Sequence, residues 1–506
     1  MSNGLILITA GTANDLFLTG NPQITHFKIL YKRHTRFAIE PKNIEFNGTV
    51  NWGQTVSCTI PKNGDLLYKT YIRINLPEVT PTSGSNFRWL NWLGHILIKS
   101  VKLEIGSQEI VKHYGEWFHI LNELNQKAGQ QSNYARLVGN VPKLVQPSTS
   151  TKPATELLIP LHFFFCQHPG LSLPLLALTN HDVRLTVEFN TKENCYWSEN
   201  STESAVGDIT GDLLMNFIHL DKDERKKIAS ASHEYLIEQL QFSGDEAITT
   251  NNLQVEIPFH NPVHSLYWVI QKDNHINKTA MQDLGGPQWF NFTDKVDSTS
   301  LTGTPNFYLG AGLGGASFIN QNLLAQMPMG GETSTLSSTQ FNGVSTSNAF
   351  VSSATNNIDL ESLTFQNLFG NGNTSDAVAF NAPLPVFDNG KNPVSQAKIV
   401  LNNRDVITYL SGNYFNHVVP YETYENGPAP GINMFSFSLD PANKEQPKGS
   451  VNFTFFDSRK LDLRLTNDIV LDENSSTSTS AKCRVYALNY NILRITGGMG
   501  AIAYNS

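Results

Sequence analysis

The sequence predicts an all-β protein in which antiparallel sheets pack face to face. Alternation of apolar and polar residues is the dominant pattern along its 506 residues, and a period of two places one face of a strand in the core. Helical periodicity is scarce, and no apolar run approaches the roughly 20 residues that a membrane-spanning helix needs. Sheet packed on sheet is the simplest architecture for this pattern.

The composition is that of a folded protein with a weakly charged surface. Hydrophobic residues make up 40% of the chain and charged residues 16%, against about 25% charged in an average soluble domain. The length fits two domains if each sandwich holds roughly 200–250 residues. The formal net charge of −8 provides no overall positive field that would attract nucleic acid or an anionic membrane.

Four cysteines, Cys58, Cys166, Cys195 and Cys483, form no C-x-x-C pair. We interpret them as buried or incidental thiols, not as a disulfide framework or a zinc site. The apolar patch near the start has no preceding Lys or Arg, so we expect no secretion signal.

Two runs in the first half predict strands with one buried face. Val101, Leu103 and Ile105 alternate with polar residues, and a second run extends from Val183 to Phe189. Four more runs in the second half step by two: Phe435, Phe437 and Leu439; Val451, Phe453 and Phe455; Leu461, Leu463 and Leu465; Tyr486, Leu488, Tyr490 and Ile492.

One short amphipathic helix is predicted, because Trp117, Ile120, Leu121 and Leu124 follow the spacing i, i+3, i+4, i+7. We expect it to be an accessory element.

The densest charge run of the chain spans residues 219–230. Asp221 is placed to cap a short helix that ends in basic residues. We interpret this run as a domain junction; the alternative is a solvated helix inside one domain.

From about Asn274 to Asn392 the sequence is rich in Gly, Ser, Thr and Asn, with sparse apolar residues. A stretch of this length without periodicity is typical of a functional loop. Its low charge argues against full disorder, so we expect an ordered, exposed insertion.

Two motifs suggest chemistry only weakly. Gly310, Gly312 and Gly315 satisfy G-x-G-x-x-G, but a dinucleotide site needs this turn inside a βαβ unit, which an all-β chain lacks. His260 and His264 have the spacing of helical metal ligands, but the proline between them favours an extended segment and an ordinary histidine pair.

No nucleophile elbow, P-loop, H-E-x-x-H or EF-hand signature occurs. We therefore assign no catalytic, cofactor-binding or metal-binding residue, and predict no cofactor. A glycosidase carboxylate pair on a β-sandwich stays open, without positive support.

A basic cluster near the start consists of Lys28, Lys32, Arg33 and Arg36, interleaved with aromatic residues. It indicates either a local anionic partner or the exposed face of the first strand. We favour the exposed strand face over direct nucleic-acid binding, because the total charge is negative.

Asn-x-Ser/Thr triplets occur at Asn47, Asn200, Asn277, Asn291, Asn373, Asn452 and Asn474. A chain rich in these residues generates such triplets by chance, so we do not expect glycosylation.

Several segments resemble the double jelly-roll major capsid proteins of nucleocytoplasmic large DNA viruses, a group that includes giant viruses, phycodnaviruses and iridoviruses. Residues 20–37 read G-N-P-Q-I-T-H-F-K-I-L-Y-K-R-H-T-R-F and are similar to the opening segment of that family. Residues 94–106, 113–117 and 163–174 are similar to a family strand, its short helix and a later segment. Gln167 and His168 depart from the Arg-Asn-like pair that the last of these has in the family.

The second half carries the resemblance further. Residues 221–225 and 233–239 resemble the family's passage between its two domains. Residues 446–453 and 486–500 resemble the last strands and the glycine-rich tail. The stretch from about 274 to 392 has no recognisable counterpart.

The resemblance implies two consecutive eight-stranded jelly rolls with few short helices and a long loop insertion in the second. The expected divisions are an N-terminal segment at 1–25, a first jelly roll at 26–220, a linker at 221–232 and a second jelly roll at 233–506. The insertion at about 274–392 would form a tower on the outer face of the second.

The implied function is structural, without catalysis. Homotrimers would form the pseudo-hexagonal capsomers of an icosahedral virion shell, assembled in the host cytoplasm over an internal membrane. The implied partners are further copies of the chain, minor capsid and penton proteins, and the membrane side, with no direct nucleic-acid contact and no small-molecule substrate. The basic cluster then becomes a contact to minor capsid proteins or to the membrane side. The alternative is a two-domain β-sandwich glycosidase or carbohydrate-binding protein, because jelly rolls host many functions.

Overall fold

A computed structural model describes residues 21, 34–82, 84–200, 206–296, 391–444, 446–466, 469, 471–472, 475–478 and 480–504. The basic residues Lys28, Lys32 and Arg33 and the glycine motif at 310–315 lie outside these ranges. No helix among the described residues is both long and apolar enough to cross a membrane.

The first half folds as one sandwich of two four-stranded antiparallel sheets. Its strands are β1 (Phe37–Ile44), β2 (Thr55–Thr59), β3 (Leu66–Leu76), β4 (Phe87–Trp89), β5 (Ile98–Ile105), β6 (Gln108–Tyr114), β7 (Thr155–Pro160), β8 (Val183–Phe189), β9 (Tyr196–Ser198) and β10 (Thr210–Leu220). The sheet orders are β1-β10-β3-β7 and β2-β8-β5-β6, and β4 pairs with β9 in a short ribbon.

Short helices connect these strands. They are α1 (Leu93–Leu97), α2 (Gly115–Asn125), α3 (Gln131–Leu137), α4 (Pro142–Val145) and α5 (Phe164–Gln167). Single 3₁₀ turns occur at Ala128–Gln130, Pro169–Leu171, Leu175–Ala177 and Lys192–Asn194.

The second half repeats the same arrangement. Its strands are β11 (His233–Ile248), β12 (Asn252–Glu256), β13 (Pro262–Lys272), β14 (Val394–Leu401), β15 (Arg404–Ser411), β16 (Ile432–Ser436), β17 (Val451–Asn452), β18 (Arg459–Leu465), β19 (Leu471–Asp472), β20 (Ser475–Ser478), β21 (Ala481–Thr496) and β22 (Met499–Ile502). The main sheets run β11-β21-β13-β16 and β12-β18-β14-β15, while β17 pairs with β13, β22 with β21 and β19 with β20.

The helices of this half are also short. They are α6 (Lys222–Ser230), which precedes β11, α7 (Asp273–Ile276) and α8 (Val419–Thr423), which follows a π-helical turn at Tyr414–Val418. Two 3₁₀ turns lie at Gln282–Leu284 and Phe453–Phe455. The fold is therefore all-β with two sandwiches, as the sequence predicts.

The alternation pattern is confirmed in the clearest strands. In β8, Val183, Leu185, Val187 and Phe189 are buried while Arg184 is exposed. The apolar residues of β5 and β18 that step by two are buried in the same way. Each strand directs its apolar residues into a core because the pleat has a period of two.

Two predicted strand runs are wrong at their ends. The strand carrying Phe435 ends at Ser436, and Leu439 is 84% exposed. The run from Val451 becomes a 3₁₀ turn because the Asn452 side chain accepts a hydrogen bond from the Thr454 N–H at 3.0 Å, a local bond that competes with the sheet ladder. Phe455 is consequently exposed.

The sheet β11-β21-β13-β16 separates two cores. Along β13, Leu266, Trp268 and Ile270 pack into the core between the sheets of the second sandwich. Tyr267 and Val269 point the opposite way into a core shared with the first sandwich. This strand is therefore buried on both faces, which joins the two halves through one continuous apolar layer.

The charge run at 219–230 includes the end of β10 and all of α6, which lies between the two sandwiches in the chain. Asp221 caps it by accepting a hydrogen bond from the Lys222 N–H at 2.8 Å, as the sequence predicts. Arg225 Nε lies 2.9 Å from a carboxylate oxygen of Asp65, which attaches the helix to the first sandwich.

Candidate functional site

Helix α2 lies at the centre of the joint between the two sandwiches. Nine of its eleven residues are buried, so the expectation of an accessory element is wrong. The sequence shows the apolar stripe but not the second surface that covers it. The helix starts at Gly115, where an added Cβ would lie 2.1 Å from the His95 carbonyl oxygen. Only glycine allows this close approach to α1.

A charged network crosses the joint from Glu116 in the first turn of α2. Its carboxylate forms an ion pair with Arg484 of β21 and lies 3.0 Å from the Tyr486 hydroxyl, which donates to it. Arg484 also donates to Asp245 at 2.7 Å and to Gln271 at 2.8 Å. Burial opposes the charge of Arg484, but Glu116 and Asp245 hold its pKa above the ordinary value. The network is thus satisfied by partners from both sandwiches.

Aromatic rings surround this network. Trp117 packs edge-on against Tyr267 with 5.1 Å between ring centroids, and Phe242 stacks on Tyr486 at 4.7 Å. Tyr114 contacts Phe242 from the first sandwich at 5.0 Å. Such pairs contribute beyond their buried area, so they fix the relative position of the two halves.

The described start of the predicted insertion, residues 274–296, is not an exposed tower. The indole N–H of Trp289 donates to the Asn194 carbonyl at 3.0 Å, and the Gln282 side chain donates to the Ser198 carbonyl at 2.7 Å. Phe292 is 1% exposed. This segment packs on the first sandwich because its aromatic residues become buried there. The sequence did not predict this packing, because apolar residues are sparse in the segment.

The C-terminal β21–β22 turn also docks on the first sandwich. The Asn180 N–H donates to the Gly498 carbonyl at 2.9 Å, and the Asn180 side chain donates to the Gly497 carbonyl at 2.9 Å. Both glycines have positive φ. An added Cβ on Gly498 would lie 2.1 Å from Thr179 Oγ1, so the contact requires glycine.

The two halves of the chain match two family models. One, described as major capsid protein N-terminus, matches residues 25–221. The other, described as large eukaryotic DNA virus major capsid protein, matches residues 224–501, more than half of the chain. The chain belongs to the major capsid proteins of large eukaryotic DNA viruses.

Curated relatives align along the whole of this capsid protein. It is 36% identical to the major capsid protein of Phaeocystis pouchetii virus and 31% identical to that of Paramecium bursaria Chlorella virus 1. Each alignment covers 100% of both chains. The resemblance derived from the sequence segments is confirmed.

Solved structures show the same fold. The PBCV-1 capsid protein VP54, fitted into a reconstruction of the virophage Sputnik, matches with a TM-score of 0.64 at 27% identity over 95% of this chain and 100% of that chain. The Faustovirus major capsid protein gives a TM-score of 0.64 at 13% identity over 96% of this chain and 94% of that one. The second match supports the fold alone.

The residues singled out from sequence do not form a chemical site in the described part of this capsid protein. His264 is buried, its Nδ1 lies 2.9 Å from the Ser265 hydroxyl, and burial lowers its pKa to about 4. His260 is half-buried before the strand begins. No group of three or more potential metal ligands occurs among the described residues.

The described residues also bear on the predictions for the cysteines, the basic cluster and the sequons. All four cysteines are buried, as expected, and they are free thiols in the structure. Arg36 of the basic cluster is exposed, and the rest of that cluster lies outside the described residues. The sequon residues Asn373 and Asn474 also lie outside them. Asn291 is 4% exposed and its side chain donates to Gln288 at 2.7 Å, so that sequon is inaccessible in the folded protein.

A group of histidines at the joint is the feature that sequence reasoning missed. Burial lowers the pKa of His113 and His119 to about 3, and that of His162 to about 4. His119 stacks on Phe290 with 4.3 Å between centroids, and His113 stacks on Phe163 at 5.1 Å. These rings act as neutral aromatic packing groups at neutral pH.

Proposed function

We propose that three copies of this capsid protein form a pseudo-hexagonal capsomer, and that these capsomers tile an icosahedral virion shell. The observation that carries the proposal is the repeated sandwich: both halves have two four-stranded sheets with equivalent strand orders. Three chains, each with two similar sandwiches, place six similar units around one threefold axis. Such a heterologous contact closes into a ring.

The buried joint supports this role mechanically. The two sandwiches share one apolar core that includes Trp117, Tyr267 and Tyr486, and the Glu116–Arg484 ion pair crosses it. A joint of this kind makes the chain a single rigid tile, because a large apolar interface suppresses the relative motion that is the default between domains.

Exposed apolar residues provide candidate contacts between copies. Leu439 is 84% exposed and Phe455 is 78% exposed. They follow β16, whose last residue pairs with Ser265 of β13, and β17, which pairs with Pro262 and Val263, so both lie toward the start of β13 at the same end of that sheet. Large apolar side chains in such exposed positions are suited to the core of a protein interface.

The wider setting follows from the same role. The partners are neighbouring copies, minor capsid and penton proteins and, on the inner side, the membrane. Assembly takes place in the host cytoplasm. The chain performs no catalysis. The net charge of −8 supports a coat that does not contact the genome directly, since nucleic-acid affinity depends on phosphate neutralisation.

Light scattering during size-exclusion chromatography tests the trimer. One chain has a mass of 56.2 kDa, so the mass measured by light scattering for a trimer should be about 169 kDa. Negative-stain images of that fraction should show hexagonal outlines. A folded monomer with saturable glycan binding would contradict the proposal and support the carbohydrate-binding alternative.

A further inference from the structure

Arg88, on β4 of the first sandwich, is a buried cation at the joint. Its side chain is almost fully enclosed, with 4% of the residue exposed. The guanidinium Nε donates to the carbonyl of Gly285 at 2.7 Å. That glycine belongs to the segment 274–296, so Arg88 links the first sandwich to this segment.

No carboxylate balances this charge in the described part of the chain. No ion pair to Arg88 occurs there within 4.0 Å, although many other Arg and Lys residues have one. Burial lowers the pKa of Arg88 only to about 10, so the group stays charged at neutral pH. Burial and, second, the nearby charge of Arg88 lower the pKa of Lys152 to about 8, so the nearby Lys152 adds no negative charge that could balance Arg88.

The side chain of Arg88 lines a cavity of about 50 Å³ between the two parts of the joint. Trp92 and His119 of the first sandwich line the same cavity, and residues 287–291 close it from the other side. No Asp or Glu is among the described residues that line it. A space of this size holds a few water-sized groups, since one water needs roughly 10–15 Å³ by this measure.

Two of the residues that line the cavity carry further polar groups without a hydrogen-bond partner among the described residues. They are the indole Nε1 of Trp92, which is 3% exposed, and the imidazole of His119, which is fully buried and has no such hydrogen-bond partner at Nδ1 or Nε2. The indole nitrogen can only donate, and a neutral imidazole supplies one donor beside one acceptor. The wall therefore combines a fixed positive charge with unsatisfied donor capacity, and both favour an anion.

We propose that this cavity is a binding site for a small inorganic anion of the size of chloride, bromide or nitrate, held by Arg88, Trp92 and His119. The anion neutralises a guanidinium that burial would otherwise destabilise and fastens residues 285–291 to the first sandwich. Glu123 lies 3.7 Å from His119 Nε2 but does not line the cavity, so it does not occupy the place of the anion.

Thermal unfolding of the full chain at constant ionic strength tests the site. Sodium chloride is titrated against sodium gluconate, whose anion is too large for the cavity. Ligand binding to the folded state raises the midpoint by mass action, so we expect a saturable rise of the unfolding temperature with chloride. A flat titration, or equal midpoints in gluconate and chloride, would overturn the proposal.

Variants locate the effect. Arg88→Gln should weaken the apparent chloride affinity at least tenfold, and Trp92→Phe should weaken it while preserving the ring. Arg494→Gln is the matched control, because Arg494 is exposed and paired with Glu234; its chloride titration should match the parent chain. Full chloride dependence in both Arg88→Gln and Trp92→Phe would contradict the site.

A measurement on the parent chain covers the case in which Arg88→Gln fails to fold. Crystals grown in sodium bromide should give an anomalous peak in the cavity, within hydrogen-bond distance of the Arg88 guanidinium. A bromide soak that labels other surfaces but leaves this cavity without a peak would refute the proposal.

Discussion

Arg484 and Glu116 lie 368 residues apart in the chain and form an ion pair inside the joint between the two sandwiches. Arg484 comes from the long strand β21, and Glu116 from the first turn of α2. Both side chains are mostly buried, at 15% and 13% exposure. Each is therefore the main compensation for the desolvation of the other.

Replacing one member of this pair should destabilise the protein strongly. We expect Arg484→Met to lower the free energy of unfolding by about 3–5 kcal/mol, because it leaves the buried Glu116 carboxylate without its cation. Urea unfolding followed by tryptophan fluorescence measures the change. The double variant Glu116→Gln with Arg484→Met should lose less than the sum of the two single variants.

The exposed pair Arg494–Glu234 is the matched control on the same strand. Its side chains are 57% and 60% exposed, and surface pairs contribute about 0–1 kcal/mol. Arg494→Met should therefore change stability little. Equal losses at both arginines would show that burial of the joint does not determine the effect.

The buried histidines predict loss of stability in mild acid. The pKa of His113 is about 3 in the folded chain against an ordinary value of 6.5, so the unfolded state binds the proton first. Stability is complete above pH 6.5 and falls between pH 6.5 and about 3, by about 1.4 kcal/mol per pH unit for each such histidine. Urea unfolding between pH 7.5 and 4.5 measures this slope.

His113→Phe should flatten that slope by the share of one histidine. If His113→Phe has the parent slope, the acid sensitivity arises from other groups.

Substitutions at two adjacent glycines of the docked β21–β22 turn distinguish the cost of backbone strain from the cost of steric contact with the first sandwich. Gly497 and Gly498 have φ of 61° and 82°, a region that costs other residues about 1–2 kcal/mol. A Cβ at Gly497 meets nothing within 4 Å, whereas one at Gly498 would overlap Thr179. Gly498→Ala should therefore cost ~1–3 kcal/mol more than Gly497→Ala in chemical unfolding. Equal costs would mean that the turn does not press on the first sandwich.

Charge on the exposed apolar residues should disrupt association without disrupting the fold. We expect Leu439→Asp with Phe455→Asp to shift the mass measured by light scattering from about three chains toward the 56.2 kDa of one chain, because burying an unpaired carboxylate opposes contact. The circular dichroism spectrum should stay unchanged. Thr408→Asp adds one such charge to exposed β15 and should keep the parent mass. A double variant with the parent mass would exclude Leu439 and Phe455 from the contact.

The sequence predicts local structure well where one face of a strand meets one core. The alternation from Val183 to Phe189 gave the correct strand and its buried face, because a period of two has a single structural explanation there. It failed at Leu439 and Phe455, since apolar spacing does not show where side chains of Asn or Ser turn the backbone away from the sheet.

The joint was harder to predict because its members meet only in the folded chain. The sequence around Arg88 and Glu116 does not indicate that these side chains are buried. The partner of Arg88 is a backbone carbonyl, and the partner of Glu116 lies hundreds of residues away in the chain. A usable signal existed in β13, where residues 266–270 are continuously apolar or aromatic. Such a run is typical of a strand covered on both faces.

The place of β21 in its sheet has a consequence for biosynthesis. This strand, Ala481–Thr496, lies between β11 and β13, which leave the ribosome more than 200 residues earlier. Until β21 emerges, β11 and β13 cannot pair with their central neighbour, and their open edges can recruit strands from other nascent chains. Folding of the second half is thus necessarily late and non-local, and the period between translation of β13 and of β21 is when the chain is most vulnerable to aggregation.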